Sequence, residues 1–310
     1  MGLSAVSRPV RSIGIVLAVL LVVLTATIVA VRVHKRPGPV WAGGLPWPGE
    51  GQAAVAVAGV GGLGVSGVQE PVPIASVTKV MTAYVVLHDH PLRAQDSGPG
   101  ILVDQEAEDE ANAVGESTVP LLAGKELGER QLLELMLVPS GNNVARLLAR
   151  WDAGSEAAFT GKMNRAAAGL GMHRTTYTGA SGVEDSTTST AGDQLLLLEK
   201  AMQDSVFCAI VAEPSIVVRG VPGRFANTNT LLGTDGVVGV KTGSSTAAGG
   251  ALMWAARAVN PRVPGLILGV VLGQATGGEP NAGLAAVLAT SRTLIAGAQR
   301  TLAGYAVRDS

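Results

Sequence analysis

Cysteine is almost missing from this chain: Cys208 is the only one in 310 residues. No intrachain disulfide is possible, and a lone thiol of this kind reads as a small buried hydrophobe. Zinc-type ligand spacing is absent as well, because His34, His88, His90 and His173 include no pair backed by cysteines. No metal and no cofactor is expected. Charge is also scarce, with 15% charged residues against 47% hydrophobic and a formal net charge of −1. Without a basic cluster in its soluble part, the chain carries no nucleic-acid footprint, and it is too apolar to be disordered. Its length allows one large core or two smaller ones.

What the chain does have is one long uncharged run, Ile13 to Val31. At about 1.5 Å per residue it nearly matches a hydrocarbon core of roughly 30 Å. We expect a cytoplasmic N-terminus over 1–12 and a single-pass membrane anchor over 13–33. A cleaved signal sequence is the alternative, but signal regions have apolar cores of only about 7 to 15 residues. The flanking charges, Arg8 and Arg11 before and Arg32, Lys35 and Arg36 after, do not fix the orientation. A linker over 34–51 follows, rich in Gly and holding Pro37, Pro39, Pro46 and Pro48. Trp41 and Trp47 suit either the membrane interface or packing against the domain.

The domain expected over 52–310 opens with a hairpin, Ala53–Ala58 and Leu63–Val65 around Gly59–Gly62. Ser76-Val77-Thr78-Lys79 then begins a helix whose stripe of Val77, Val80, Met81 and Tyr84 faces a core. An S-x-x-K at a helix start places a hydroxyl and an amine on one face. Lysine is seldom buried without a partner, so Lys79 either snorkels or has a task inside. Two later triplets follow in order, Ser140-Gly141-Asn142 and Lys241-Thr242-Gly243. Serine penicillin-recognising enzymes use this order.

Glu106, Glu108, Asp109 and Glu110 read as a solvated helix face. A helix over Glu129–Leu137 stops at Pro139, which leaves Ser140-Gly141-Asn142 on an exposed loop. Further helices are expected over Val144–Trp151, Ser155–Leu170, Thr190–Met202 and Ala282–Leu302. Strands are expected at Ile216–Arg219, Val237–Lys241, Gly250–Ala256 and Leu266–Leu272. The fold class is therefore α/β: an antiparallel sheet flanked by helices with an all-helical subdomain, preceded by one transmembrane helix.

On these residues the chain resembles the serine D-alanyl-D-alanine carboxypeptidases, the low-molecular-weight penicillin-binding proteins with a β-lactamase/transpeptidase-like fold. The resemblance runs from about Gln52 to the end and includes Pro73–Ala83, Phe159–Asn164, Gly182-Val183, Ser189–Asp193, Asn227–Leu232 and Gly239–Gly243. It departs at Asn143, where the family often has an acid, and at Ser244, where an aromatic or histidine commonly follows K-T-G. Family members often add a β-rich domain and a C-terminal anchor, and here the N-terminal span is expected to replace that anchor.

The resemblance implies a Ser76 acyl-enzyme that removes the terminal D-Ala of peptidoglycan stem peptides, with β-lactam antibiotics as acylating inhibitors. Serine needs a base within about 2.6 to 3.2 Å, and Lys79 fits that role. Ser140 would relay the proton to the leaving amine, and Asn142 would orient Lys79 and the substrate amide. Lys241 and Thr242 would hold the terminal carboxylate, while the amides of Ser76 and Ser244 form an oxyanion hole beside Gly243. Two alternatives are a β-lactamase, for which Glu184 lacks the E-x-x-L-N surroundings of the class A loop, and a catalytically silent wall-binding protein. Intact Ser76, Lys79, Ser140, Asn142 and Lys241 argue against the latter.

Overall fold

In the computed structural model, residues 44–304 are described together with Met1 and Gly2. The chain divides into two compact units, 1–40 and 41–310, and every element below belongs to the second. The anchor expected over 13–33, Trp41 and most of the linker lie outside the described residues. Among the described residues no helix is long and apolar enough to cross a membrane.

Five strands form the main sheet: β1 (Gln52–Val57), β2 (Gly61–Ser66), β3 (Val237–Ser245), β4 (Gly249–Arg257) and β5 (Leu266–Gln274). Their spatial order is β2-β1-β5-β4-β3, with every neighbouring pair antiparallel. Hairpin connections suffice for β1–β2 and for β3–β4–β5, so the sheet needs only one long excursion between them. That excursion carries the helices.

Alternation along the central strands divides the side chains between two cores. Ala53, Val55, Val57, Leu252, Trp254, Ile267 and Val271 point to one face. There they meet Val287, Leu294, Ile295, Ala298 and Leu302 of the last helix, α8 (Pro280–Ala303). Close approach sets its position: a Cβ on Gly250 would stand 1.9 Å from the carbonyl oxygen of Gly283. Opposite Trp254 in the register lies Gly269, whose missing side chain makes room for the indole. Trp47 packs against this core and over Gly64, the second of the two placements the sequence allowed.

On the other face, Ala54, Ala251, Met253, Ala255, Leu268 and Val270 join the helical core. Its helices are α1 (Lys79–Asp89), α2 (Gln105–Asp109), α3 (Glu129–Leu137), α4 (Asn142–Ala153), α5 (Glu156–Gly169), α6 (Ala191–Ala201) and α7 (Ser205–Val211). The helices expected from Ser155 and Thr190 do start there, each capped by that residue's side chain, which accepts from Ala158 N and Asp193 N respectively. The sequence reading missed α7, whose cap is Asp204 accepting from Val206 N and Phe207 N.

Two expectations need correction. The strand expected at Ile216–Arg219 is only Ser215–Ile216, because Gly220 (φ +92°) and Pro222 turn the chain back to pair it with Phe225–Ala226. The acidic cluster is not simply solvated: Glu108 accepts from Ala123 N at 2.6 Å, and Glu110 stands 3.5 Å from Arg150. Glu106 keeps 65% of its side-chain surface exposed.

Candidate active site

Ser76 sits in a single 3-10 turn, Ala75–Thr78, that feeds directly into α1. Ala75 takes φ +46°, a left-handed conformation that costs a residue with a side chain about 1–2 kcal/mol. The neighbours that hold it are specific. Gly182 (φ +83°) packs so closely that an added Cβ would lie 2.0 Å from the Ala75 carbonyl oxygen. Thr78 Oγ1 donates to that same oxygen at 2.7 Å, and Thr82 Oγ1 donates to Ala180 O at 2.7 Å. Strand β3 presses from the other side, since a Cβ on Gly243 would meet Ser76 N at 2.9 Å. Glycine is required at both contacts.

Lys79, the first residue of α1, is fully buried. Its Nζ donates to Ser76 Oγ at 2.8 Å, Asn142 Oδ1 at 2.6 Å and the Ser181 carbonyl at 2.7 Å. Three ammonium protons thus meet three acceptors. Burial nevertheless holds its pKa well below the ordinary lysine value, helped by the positive charges of Lys241 and Arg146 and opposed by Glu116 and Glu184. When the ammonium loses its proton, the Ser76 hydroxyl becomes the donor and the amine a base at hydrogen-bond distance.

The Ser140-Gly141-Asn142 segment is buried, not exposed as expected, with Ser140 at 4% and Asn142 at 4%. Pro139 does stop α3, but the following amides find partners inside: Gly141 N donates to Leu135 O and Asn142 N to Ser117 O. Ser140 adopts φ +70°, a second left-handed residue at the site. Among the described residues, neither Ser140 Oγ nor Ser244 Oγ is hydrogen-bonded to Ser76 or Lys79. Asn142 Nδ2 donates to Glu116 Oε2 at 2.9 Å, and Arg146 Nη2 bonds both Glu116 oxygens at 3.1 and 2.8 Å.

Lys241 and Thr242 lie on β3, 1% and 3% exposed. Lys241 Nζ donates to its neighbour's carbonyl, Thr242 O, at 2.9 Å, and burial lowers its pKa to about 7. Thr242 and Thr228 share a hydroxyl hydrogen bond of 2.5 Å. Glu116, Arg146, Ser181 and Thr228 were missed in the sequence. For Arg146 the signal was there, four residues after Asn142 on the same helix face.

A profile of the family described as D-alanyl-D-alanine carboxypeptidase matches residues 63–276, which contain all three motifs. The chain belongs to this family. A carboxypeptidase so named from a Streptomyces strain is 32% identical over 209 residues, covering 62% of this chain and 71% of the relative. One from Mycobacterium tuberculosis is 36% identical over 182 residues, covering 57% of this chain and 59% of the relative. Among solved structures, a penicillin-binding protein homologue from Mycobacterium tuberculosis superposes with TM-score 0.71 at 27% identity, over 88% of this chain and 99% of the other. A Streptomyces DD-transpeptidase superposes with TM-score 0.68 at 25% identity, over 85% and 98%.

The departures from the carboxypeptidase pattern have local explanations. Asn143 is fully buried, accepts from Val119 N at 3.1 Å and donates to Ala107 O and Val119 O at 3.0 and 2.9 Å. An acid there has no protons for those two carbonyls. Ser244 is half-buried on β3, opposite Gly250. Glu184 influences Lys79 only at a distance, and no hydrogen bond joins it to Ser76 or Lys79 among the described residues. That placement gives the β-lactamase alternative no support. Cys208 is only partly buried and donates to Met202 O at 3.3 Å, with burial raising its pKa.

Proposed function

We propose that this chain is a serine D-alanyl-D-alanine carboxypeptidase that cleaves the terminal D-Ala from peptidoglycan stem peptides. The observation that carries the reading is Lys79 Nζ, fully buried and 2.8 Å from Ser76 Oγ, in a setting that disfavours its charge. Ser76 Oγ attacks the carbonyl carbon of the penultimate D-Ala while its proton passes to the Lys79 amine. The amides of Ser76 and Ser244 receive the developing oxyanion, each such donor contributing about 3–4 kcal/mol. The C–N bond then breaks as the proton held by Lys79 is relayed through Ser140 to the departing D-Ala amine, which leaves Lys79 neutral again and Ser140 unchanged. Water then attacks the ester carbonyl while the Lys79 amine takes its proton, and that proton passes to Ser76 Oγ as the C–O bond breaks, restoring the hydroxyl. Lys241 and Thr242 hold the terminal carboxylate, which selects a free C-terminus.

Release of D-Ala from a pentapeptide ending in D-Ala-D-Ala tests this, with Ser76→Ala and Lys79→Ala as controls. Absence of release by the wild type would defeat the reading. Transfer of the acyl group to an amine is a second reading, supported by the similarity to the Streptomyces DD-transpeptidase. An added acceptor amine distinguishes the two by product mass. We also infer that residues 13–33 anchor the chain in the cell membrane with the domain outside, supported by the length of the uncharged run. Appearance of the full chain in the soluble fraction would refute the anchor.

A further inference from the structure

We propose that Glu116 and Arg146 are positioning residues of this site, fixing the direction in which the Asn142 amide faces Lys79 and setting the charge that Lys79 feels. The proposal rests on the reading of Lys79 as the base. An asparagine amide has two nearly isosteric ends, and only one of them suits a lysine amine. A carboxylate accepts and never donates, so Glu116 Oε2 at 2.9 Å must take the NH2 end of Asn142. The oxygen end is thereby left to Lys79, 2.6 Å away. With the amide reversed, an NH2 group would confront the ammonium and an oxygen would confront the carboxylate.

Glu116 is itself held. Arg146 Nη2 reaches both of its oxygens, and the two side chains are only 19% and 11% exposed. Arg146 is braced in turn by Glu110, 3.7 Å away, and Glu110 leads to Arg150, which pairs with Asp104 at 2.8 and 2.9 Å. Asn142, Arg146 and Arg150 recur every four residues along one face of α4, so a single helix carries the cationic side of the row. Four charged groups act on Lys79: Lys241 from β3, Arg146 from α4, Glu116 from the segment between α2 and α3, and Glu184 from the loop after α5. Arg146 and Glu116 act with opposite sign. Removing either one also leaves the other without its neutralising partner.

The test uses full-length protein with 13C-labelled lysine, following the Lys79 Cε resonance against pH, alongside rates of benzylpenicillin acylation and D-Ala release. Arg146→Met should move the Lys79 titration to higher pH and Glu116→Gln to lower pH, by about half a unit or more in each direction. Both should lower kcat and the acylation rate about 10- to 100-fold, the size of a lost hydrogen bond to a charged group, with KM changed far less. Glu116→Asp, still acceptor-only, should recover part of the loss. Arg146→Lys keeps the charge but not the two-oxygen contact, so it should leave the titration in place while lowering kcat.

Shifts in one direction for both charge-removing variants, no shift in either, or full acylation by folded Glu116→Gln would overturn the proposal. Should a charge-removing variant fail to fold, the Asp and Lys variants decide the matter on their own. If the wild type releases no D-Ala while the Lys79 resonance shifts in opposite directions, the substrate reading fails and the positioning role stands.

Discussion

Two lysines are buried at the centre of this molecule, one from the helical side and one from the sheet side, and they are held in opposite ways. Lys79 meets three acceptors drawn from three separate segments, so its position is overdetermined. Among the described residues Lys241 hydrogen-bonds only to the carbonyl of the next residue on β3. Burying an ammonium with so few partners is costly to the fold, and a bound anion would offset that cost. The contrast fits the two proposed roles, a proton-transfer group held in place and a second group that receives a carboxylate. Glu129 is a third case: it is fully buried, neither of its oxygens has a hydrogen-bond partner among the described residues, and burial raises its pKa to about 7.

The largest effect is expected at the overdetermined lysine. Lys79→Ala should lower kcat for D-Ala release by about a thousandfold or more, within the range that a positioned base contributes. Retention of wild-type turnover would break the comparison at its first term. Gly182→Ala forces a Cβ into the Ala75 carbonyl at φ +83°, so it should displace the Ser76 turn and cost both activity and melting temperature. A variant with normal acylation would show that the turn is not held from that side.

Lys241→Met should reduce kcat/KM for carboxylate-ended peptides about 10- to 100-fold, the size of a lost charge-assisted contact. Because Lys241 is charged below its pKa of about 7, kcat/KM in the free enzyme should fall as pH rises through that value. Lys241→Arg stays charged and should abolish this decline, and a decline that persists in it would assign the limb to another group.

The smallest effect concerns stability. Glu129 has a folded-state pKa above its unfolded value of 4.5, so the folded state holds the extra proton between about pH 4.5 and 7. Stability from this group is fully present below pH 4.5 and is lost as pH rises through 7. Glu129→Gln should therefore be the more stable protein at pH 8, by on the order of 2 kcal/mol, and should lose that advantage at pH 4.5. Chemical denaturation at the two pH values measures it, and equal differences at both would show that Glu129 is not desolvated.

Much of this architecture was legible because its signals are local. Short apolar runs marked β1, β3, β4 and β5, and the helices expected from Ser155 and Thr190 start at those residues. The three motifs named Ser76, Lys79, Ser140, Asn142 and Lys241 to Gly243, and the family resemblance added Ser244. What was not legible depends on distant carbonyls and carboxylates. Ser181 contributes a backbone oxygen, which leaves no trace in side-chain pattern, and Glu116 reaches Asn142 only through the fold. The burial of Ser140 has the same origin, since Leu135 and Ser117 accept from amides that a loop reading assigns to water. The strand expected at Ile216–Arg219 failed because Gly220 and Pro222 turn the chain sooner than its apolar run suggests.

The central claim is that Ser76 is the nucleophile activated by Lys79. Intact mass and peptide mapping of the full-length chain during incubation with benzylpenicillin test it most directly. One drug-sized adduct should form on the peptide holding Ser76, be absent in Ser76→Ala and form far more slowly in Lys79→Ala. An adduct in Ser76→Ala, or none in the wild type, would contradict the account.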